Sequence, residues 1–266
     1  MNPHTAALFC ERVWDYYHLH GRDLSWRHDP TPYQVLVSEV MLQQTQVTRV
    51  REKYAQWMDL LPNLELLAAA SVSEVLSAWQ GLGYNRRGLW LHRAAQTIVS
   101  EYAGIVPSDP RLLVALPGIG PNTAGSIAAF AYNAPVVFIE TNIRRVYLHE
   151  FFADRQDVAD AELMPLIALT LDREAPREWY YALMDYGSHL AATVPNPNRR
   201  SKQHRVQSKF EGSSRQVRGA ILRRALEGPL SADWLVEFDV RAPALAEVMV
   251  GEGFLTKDGE SYKLPT

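Results

Sequence analysis

Two acids and a pair of glycines carry the clearest chemical potential in this chain of 266 residues. Glu39 stands in PYQVLVSEVMLQQTQV, with Val35, Leu36 and Leu42 as its helical neighbours at i−4, i−3 and i+3. Desolvation among aliphatic side chains raises a carboxyl pKa and keeps the proton on near neutral pH. That is the condition a general acid needs; the structural alternative is a cap or bridge. The second acid, Glu140, lies in VVFIETNIRRV (Val136–Val146), downstream of LPGIGPNTAGSIAAF (Leu116–Phe130). In that stretch Gly118 and Gly120 lack side chains, so their backbone N–H groups can approach something bulky. They sit at the start of a helix, where the dipole favours an anion such as a nucleic-acid phosphate. The plainer alternative is a helix corner that needs glycine for its geometry.

Several elements must hold these groups. Thr5–Leu19 reads as an amphipathic helix with Leu8, Phe9, Val13, Trp14 and Tyr17 on one face. Thr31-Pro32 starts a second helix, apolar nearly all round and therefore expected to be buried. Ser108-Asp109-Pro110 starts a short helix, Pro117–Pro121 turns the chain, and the small apolar stretch Thr123–Tyr132 forms the helix that follows. In GLGYNRR (Gly81–Arg87), two glycines punctuate a loop between helices. Leu82 and Tyr84 are expected there as exposed apolar tips beside Arg86 and Arg87, a wedge-and-cation pattern suited to distorted DNA. The alternative is a linker whose Leu and Tyr pack inward. Glu162–Tyr186 carries two further helical segments.

From Pro195 to Arg224 the chain is rich in arginine and lysine, with Glu211 the one acid among them. Arg199, Arg200 and Lys202 lead that run and are expected to meet phosphate; a solvated linker is the alternative. The last portion predicts helices at Val217–Leu226, Ser231–Glu237 and Ala242–Glu252. A hairpin about Asp258-Gly259 follows within Gly253–Leu264, giving a small winged-helix-like domain. The expected division is 1–200, a basic linker 201–212, and 213–266.

Bulk properties narrow the classes. The chain is 47% apolar and 21% charged with a formal net charge of −3, as in a soluble globular protein. Nucleic-acid binding then needs a local basic patch rather than global attraction. No apolar run is long enough to span a membrane and the first residues do not resemble a secretory signal, so a cytoplasmic, nucleoid-associated protein is expected. The single cysteine, Cys10, excludes an internal disulfide and a multi-cysteine metal cluster.

Ser38–Val47, SEVMLQQTQV, resembles the signature of adenine DNA glycosylases of the MutY type, within the helix-hairpin-helix (HhH-GPD) superfamily. Trp26-Arg27, Pro32-Tyr33, GLGYNRR, the glycine hairpin, ETNIRR and ALMDYG extend the resemblance over roughly Leu24–Gly187. It implies an all-α helix-hairpin-helix glycosylase fold, with the winged-helix-like domain appended. It implies that Glu39 protonates the purine leaving group and that Glu140, where the family normally has Asp, stabilises the cationic sugar. Gln44 and Thr45 would push into the base stack, Gln43 would contact DNA beside them, and Trp26, Arg27 and Asn142 would line the base pocket. Gly118, Gly120, Asn122, Thr123, Leu82, Tyr84, Arg86, Arg144, Arg199, Arg200 and Lys202 would contact DNA. For Asn142 a structural hydrogen bond, and for Arg144 and Arg145 a solvated helix face, stand as alternatives.

Asn122 occupies the position where bifunctional relatives carry a Schiff-base lysine, so a monofunctional enzyme without lyase activity is expected. Most relatives also hold an iron–sulfur cluster through four cysteines that are missing here, so no metal cofactor is expected; the hairpin backbone could hold a monovalent cation. The partner is double-stranded DNA with a mispaired or damaged base, no membrane is involved, and the expected state is a monomer. The last fifty-odd residues are too few for the larger domain that reads 8-oxoguanine in relatives. The missing domain argues for another target, but the Glu39 motif makes removal of adenine opposite 8-oxoguanine or guanine the leading expectation. The alternatives are a uracil, thymine or other damaged-base glycosylase, or a DNA-structure-binding protein without cleavage.

Overall fold

The computed structural model describes residues 2–207 and 209–265. They group into two compact units. Unit one comprises the chain up to Glu39, Pro107–Ala115 and Ile119–Val206; unit two comprises Val40–Val106, Leu116–Gly118 and Gln207–Thr266.

In chain order the helices are α1 (Pro3–His20), α2 (Pro32–Leu42), α3 (Val47–Leu60), α4 (Leu64–Ala69), α5 (Val72–Ala78), α6 (Arg86–Glu101) and α7 (Pro110–Leu113). They continue with α8 (Pro121–Tyr132), α9 (Thr141–Phe151), α10 (Asp160–Thr170), α11 (Pro176–Thr193), α12 (Ser214–Glu227), α13 (Ala232–Phe238) and α14 (Ala242–Glu252). Local chemistry accounts for many of the starts. Asn2 accepts from Thr5 N at 2.8 Å ahead of Pro3, and Ser71 and Glu74 form a reciprocal capping box on α5. Ahead of α2, Thr31 N donates to Gln34 Oε1 at 2.8 Å and Gln34 N returns to Thr31 Oγ1 at 3.3 Å. Asp109 caps α7 just before Pro110.

Unit one is helix on helix. α11 packs against α1 and α9, and the fully buried Trp179 meets Phe9 and Trp14 at ring-centroid distances of 6.1 and 5.6 Å. The first two-thirds of α2 belong to this unit, with Val35, Leu36 and Val37 completely buried, as its apolar composition predicts.

In unit two α6 packs on α4 and α5, and Trp57 meets Trp79 edge-on at 5.6 Å. The C-terminal residues form α12, α13 and α14 with a three-stranded antiparallel sheet of β1 (Leu230–Ser231), β2 (Thr256–Asp258) and β3 (Ser261–Lys263) in the order β1-β3-β2. The short strand β1 is not anticipated in the sequence. Nor does this segment core by itself: Val217, Ile221, Leu235, Met249 and Phe254 share one buried cluster with Leu76 of α5 and Leu89 of α6. Glu252 at the end of α14 pairs with Arg86 and Arg218, and its carbonyl accepts from Arg93 at 2.9 Å. Among the described residues no helix is long and apolar enough to cross a membrane.

Candidate active site

Glu39 is on α2, one turn after the buried Val35 and Leu36. The residue is half-buried, between the buried Ser38 and Val40. Burial pushes its pKa up to about 7; the Ser126 hydroxyl pulls against that, the Glu140 carboxylate adds to it, and Arg27 opposes it least. At neutral pH a large share of Glu39 therefore keeps its proton.

Arg27 contributes little because its charge is already engaged. Its Nη1 and Nη2 donate to Asp185 Oδ2 and Oδ1, both at 2.9 Å, and its guanidinium lies 4.3 Å from the centroid of the Tyr181 ring. Arg22 adds a third and fourth bond to the same carboxylate, from Nε and from its backbone N, each at 2.7 Å. Asp185 thus pairs with two arginines and holds one of them beside Glu39. It stands in the quoted ALMDYG stretch, yet sequence reasoning assigned it no role; an acid amid the buried face of a helix was the available signal.

Glu140 is the N-cap of α9. Its backbone is extended (φ −130°, ψ −178°), and Oε1 accepts from Asn142 N at 2.7 Å and Ile143 N at 2.8 Å. Oε2 accepts from Asn142 Nδ2 at 3.3 Å, while Asn142 Oδ1 accepts from Arg145 at 2.6 Å. The same Arg145 nitrogen donates to Gly187 O at 2.8 Å. This chain of bonds holds the Glu140 side chain over the start of α9. Burial raises the Glu140 pKa, against the two capping N–H groups and the charges of Arg145 and Arg144. Gly187 is required at the α9–α11 contact, since a Cβ there would come within 2.5 Å of Asn142 O.

The glycine hairpin has the expected form. Gly118 takes φ +76°, and a Cβ on it would lie 2.8 Å from Trp90 Cβ. Gly120 caps α8; Gly120 and Asn122 are exposed and Thr123 is half-buried. Trp26 is buried. In unit two Gln44 is exposed in a left-handed backbone conformation (φ 56°), and Gln43 Nε2 donates to Gly118 O at 3.3 Å. Thr45 Oγ1 accepts from Arg87 at 2.8 Å. The buried Arg87 also donates to Val40 O at 2.8 Å, Met41 O at 3.0 Å and Gly83 O at 3.1 Å. Burial lowers its pKa to about 10, which leaves it charged at neutral pH.

One expectation needs correction, and three of the cations expected at DNA have partners within the protein. Leu82 is not an exposed tip: it is 1% exposed, drawn into the unit-two core, and only Tyr84 of that pair reaches solvent, at 37%. Arg86 is paired with Glu252. Arg144 makes a two-point pair with Asp160, both bonds at 2.7 Å. Arg200 donates to Ala153 O at 2.8 Å and Leu148 O at 3.3 Å, stitching the end of α9. Arg144 and Arg200 meet internal acceptors, and breaking such a bond to reach a phosphate carries a penalty, whereas the Arg86 side chain stays 48% exposed beside Glu252. Arg199 and Lys202 are exposed. A hollow of about 780 Å3 in unit two, bordered in part by Lys53, Ser77 and Arg223, includes none of the expected site residues.

The four-thiolate cluster of most relatives does not fit this chain. Cys10 is the one cysteine, and it lies on α1 with its Sγ 3.7 Å from Thr170 O. The segment after α11 is held by hydrogen bonds instead: Asn198 Nδ2 donates to Thr141 O at 3.0 Å, Val158 N to Arg200 O at 2.9 Å and Lys202 N to Val158 O at 3.0 Å. Thr141 is next to Glu140, so this polar clip also fixes the start of α9. Its asparagine was not picked out from the sequence.

Residues 37–167 match the HhH-GPD superfamily of base excision DNA repair proteins. The chain is 36% identical over 282 residues to the adenine DNA glycosylase of Mycobacterium tuberculosis, covering 94% of this chain and 91% of that one. With the adenine DNA glycosylase of Mycolicibacterium smegmatis it shares 39% identity over 220 residues, covering 76% and 74%. A thermostable thymine-DNA glycosylase has the same fold, with a TM-score of 0.64 and 21% identity over 73% of this chain and 90% of that one.

Proposed function

This chain belongs to the adenine DNA glycosylases of the HhH-GPD superfamily, and we propose that the base opposite its target adenine is 8-oxoguanine or guanine. It is a base excision repair glycosylase, a hydrolase of the N-glycosyl bond that binds DNA and excises adenine. Adenine is a poor anionic leaving group, so its departure calls for an acid at the purine ring. The observation that supports Glu39 in that role is its half-buried place on α2 between the buried Ser38 and Val40, where desolvation raises its pKa to about 7.

In this reading the target nucleotide is extruded from the duplex and its base meets Glu39, which protonates N7. The glycosidic electron pair leaves with the base, and the capped Glu140 carboxylate stabilises the oxocarbenium-like sugar. Water completes the abasic site. Asn122 has no amine with which to form a Schiff base, so strand cleavage does not follow. The exposed Gln44 enters the base stack, and the chain acts as a monomer without a metal cofactor.

Labelled duplexes bearing A:8-oxoguanine, A:G, U:G or T:G, treated with alkali after incubation, test this. Scission is expected only at adenine, and only after alkali, with no borohydride-trapped adduct. Scission confined to U or T, or tight binding with none, would overturn it.

A further inference from the structure

Tyr84 combines two features that are each unfavourable for a large aromatic residue. Its backbone lies in the left-handed region (φ +47°), which a bulky side chain disfavours, and the residue is 37% exposed. The backbone around it is fixed. Gly83 O accepts from Trp79 Nε1 and from Arg87, both at 3.1 Å, and Tyr84 O accepts from Arg87 N at 2.9 Å. Arg87 ties this turn to the one that carries Gln44, since it also donates to Gln43 O and Thr45 Oγ1. Gln44 is likewise exposed and left-handed. One buried arginine thus joins the two turns that present these side chains.

The Tyr84 side chain is held from the C-terminal segment. Arg215, 131 positions later, donates from Nη1 to the Tyr84 hydroxyl at 3.0 Å, and its guanidinium carbon lies 5.9 Å from the ring centroid. Arg215 is half-buried and is the second residue of α12. A cation in the first turn of a helix opposes the dipole, and no acid in that turn offsets it. Helix stability therefore does not account for an arginine there, whereas the hydroxyl it reaches does. One turn on, Arg218 pairs with Glu252, which also pairs with Arg86, two residues after Tyr84. The helices α12 and α14 thus grip the stretch Tyr84–Arg86 at two points. We propose that Arg215 is a positioning residue for mispair binding: through the Tyr84 hydroxyl it fixes the ring that stacks against a base at the distorted site. The proposal rests on the reading of Tyr84 as a DNA contact. A ring already fixed loses less side-chain freedom on binding, and that saving appears as affinity. It applies only where the duplex opens enough for the ring to stack, so intact duplex does not benefit.

Equilibrium binding of the full chain to two duplexes tests this. One carries 2′-fluoro-2′-deoxyadenosine opposite 8-oxoguanine, where the fluorine disfavours a cationic sugar and blocks turnover; the other is fully matched. Tyr84→Phe keeps the ring and removes the hydroxyl, and Arg215→Ala removes the donor. Each is expected to weaken mispair binding about 3- to 10-fold, and the double variant no further than either alone. Affinity for the matched duplex and the slope of log affinity against log salt should stay unchanged. Losses that multiply in the double variant, full mispair affinity in Arg215→Ala, or a reduced salt slope in that variant overturns the proposal; the last would make Arg215 a phosphate contact instead. Tyr84→Ala separates the two failures. Full mispair affinity in that variant would remove Tyr84 as a DNA contact, whereas a weakened Tyr84→Ala beside an unaffected Arg215→Ala would remove only Arg215.

Discussion

Arg27 and Asp185, 158 residues apart in the chain, meet in a two-point ion pair with both N–O distances at 2.9 Å. The Asp185 side chain is 1% exposed and that of Arg27 7%. Removing one partner of a buried pair leaves the other charge uncompensated, which is worth about 3–5 kcal/mol. Asp185→Ala should lose roughly that much stability in urea unfolding, and Asp185→Asn somewhat less because an amide oxygen still accepts. A loss under about 1 kcal/mol for Asp185→Ala would mean that Arg27 finds another partner.

Arg87 joins the last carbonyls of α2 to the Gly81–Gly83 turn. Arg87→Lys presents one nitrogen in place of a fork and cannot reach all of these acceptors. Both Arg87→Lys and Arg87→Ala should lower stability, by about 1–3 kcal/mol for the acceptors left bare. Both should also weaken mispair binding by loosening the turn that carries Gln44. Gel-shift titration with full retention of affinity in Arg87→Lys would count against this.

Glu39 also links catalysis to stability. Its pKa of about 7 in the folded chain exceeds the ordinary value of 4.5, so the folded state keeps the proton longer. This group's contribution to stability is therefore present below pH about 4.5 and declines as pH rises through 7. Glu39→Gln has no such charge and should be more stable than the parent at pH 8, by on the order of 2 kcal/mol, with little difference at pH 4. Its excision rate should be abolished. Denaturant melts at the two pH values, which need no DNA, check the first statement on their own.

Glu140 combines a helix cap with the expected charge stabilisation. Glu140→Gln keeps an accepting oxygen for Asn142 N and Ile143 N, so folding should hold while single-turnover excision falls about 100- to 1,000-fold. Glu140→Ala should add about 1 kcal/mol of instability from the lost cap. Equal rates for Glu140→Gln and the parent would remove this carboxylate from the chemistry.

The basic residues divide by their partners. Arg199 and Lys202 are exposed, so each alanine variant should reduce the slope of log affinity against log salt by about 1. Arg144→Ala and Arg200→Ala, which break internal contacts, should lower the melting temperature and leave the slope unchanged. The opposite pattern in salt titrations would reverse these assignments.

The sequence by itself determined the helical class, the hairpin, the buried setting of Glu39 and the family. These properties are written over short distances: apolar composition nearly all round buries α2, Gly118 and Pro121 break and restart a helix, and ten contiguous residues carry the resemblance. Which polar groups are already engaged was decided only by tertiary structure. Leu82 turned inward, and Arg86, Arg144 and Arg200 were taken up by Glu252, Asp160 and the carbonyls closing α9. The C-terminal helices joined the core of α5 and α6, and Asp185 came to pair with an arginine 158 positions earlier in the chain. A side chain's type states what it can bond to, but its partner is whichever group the packed helices bring within about 3 Å, and local spacing does not encode that distance.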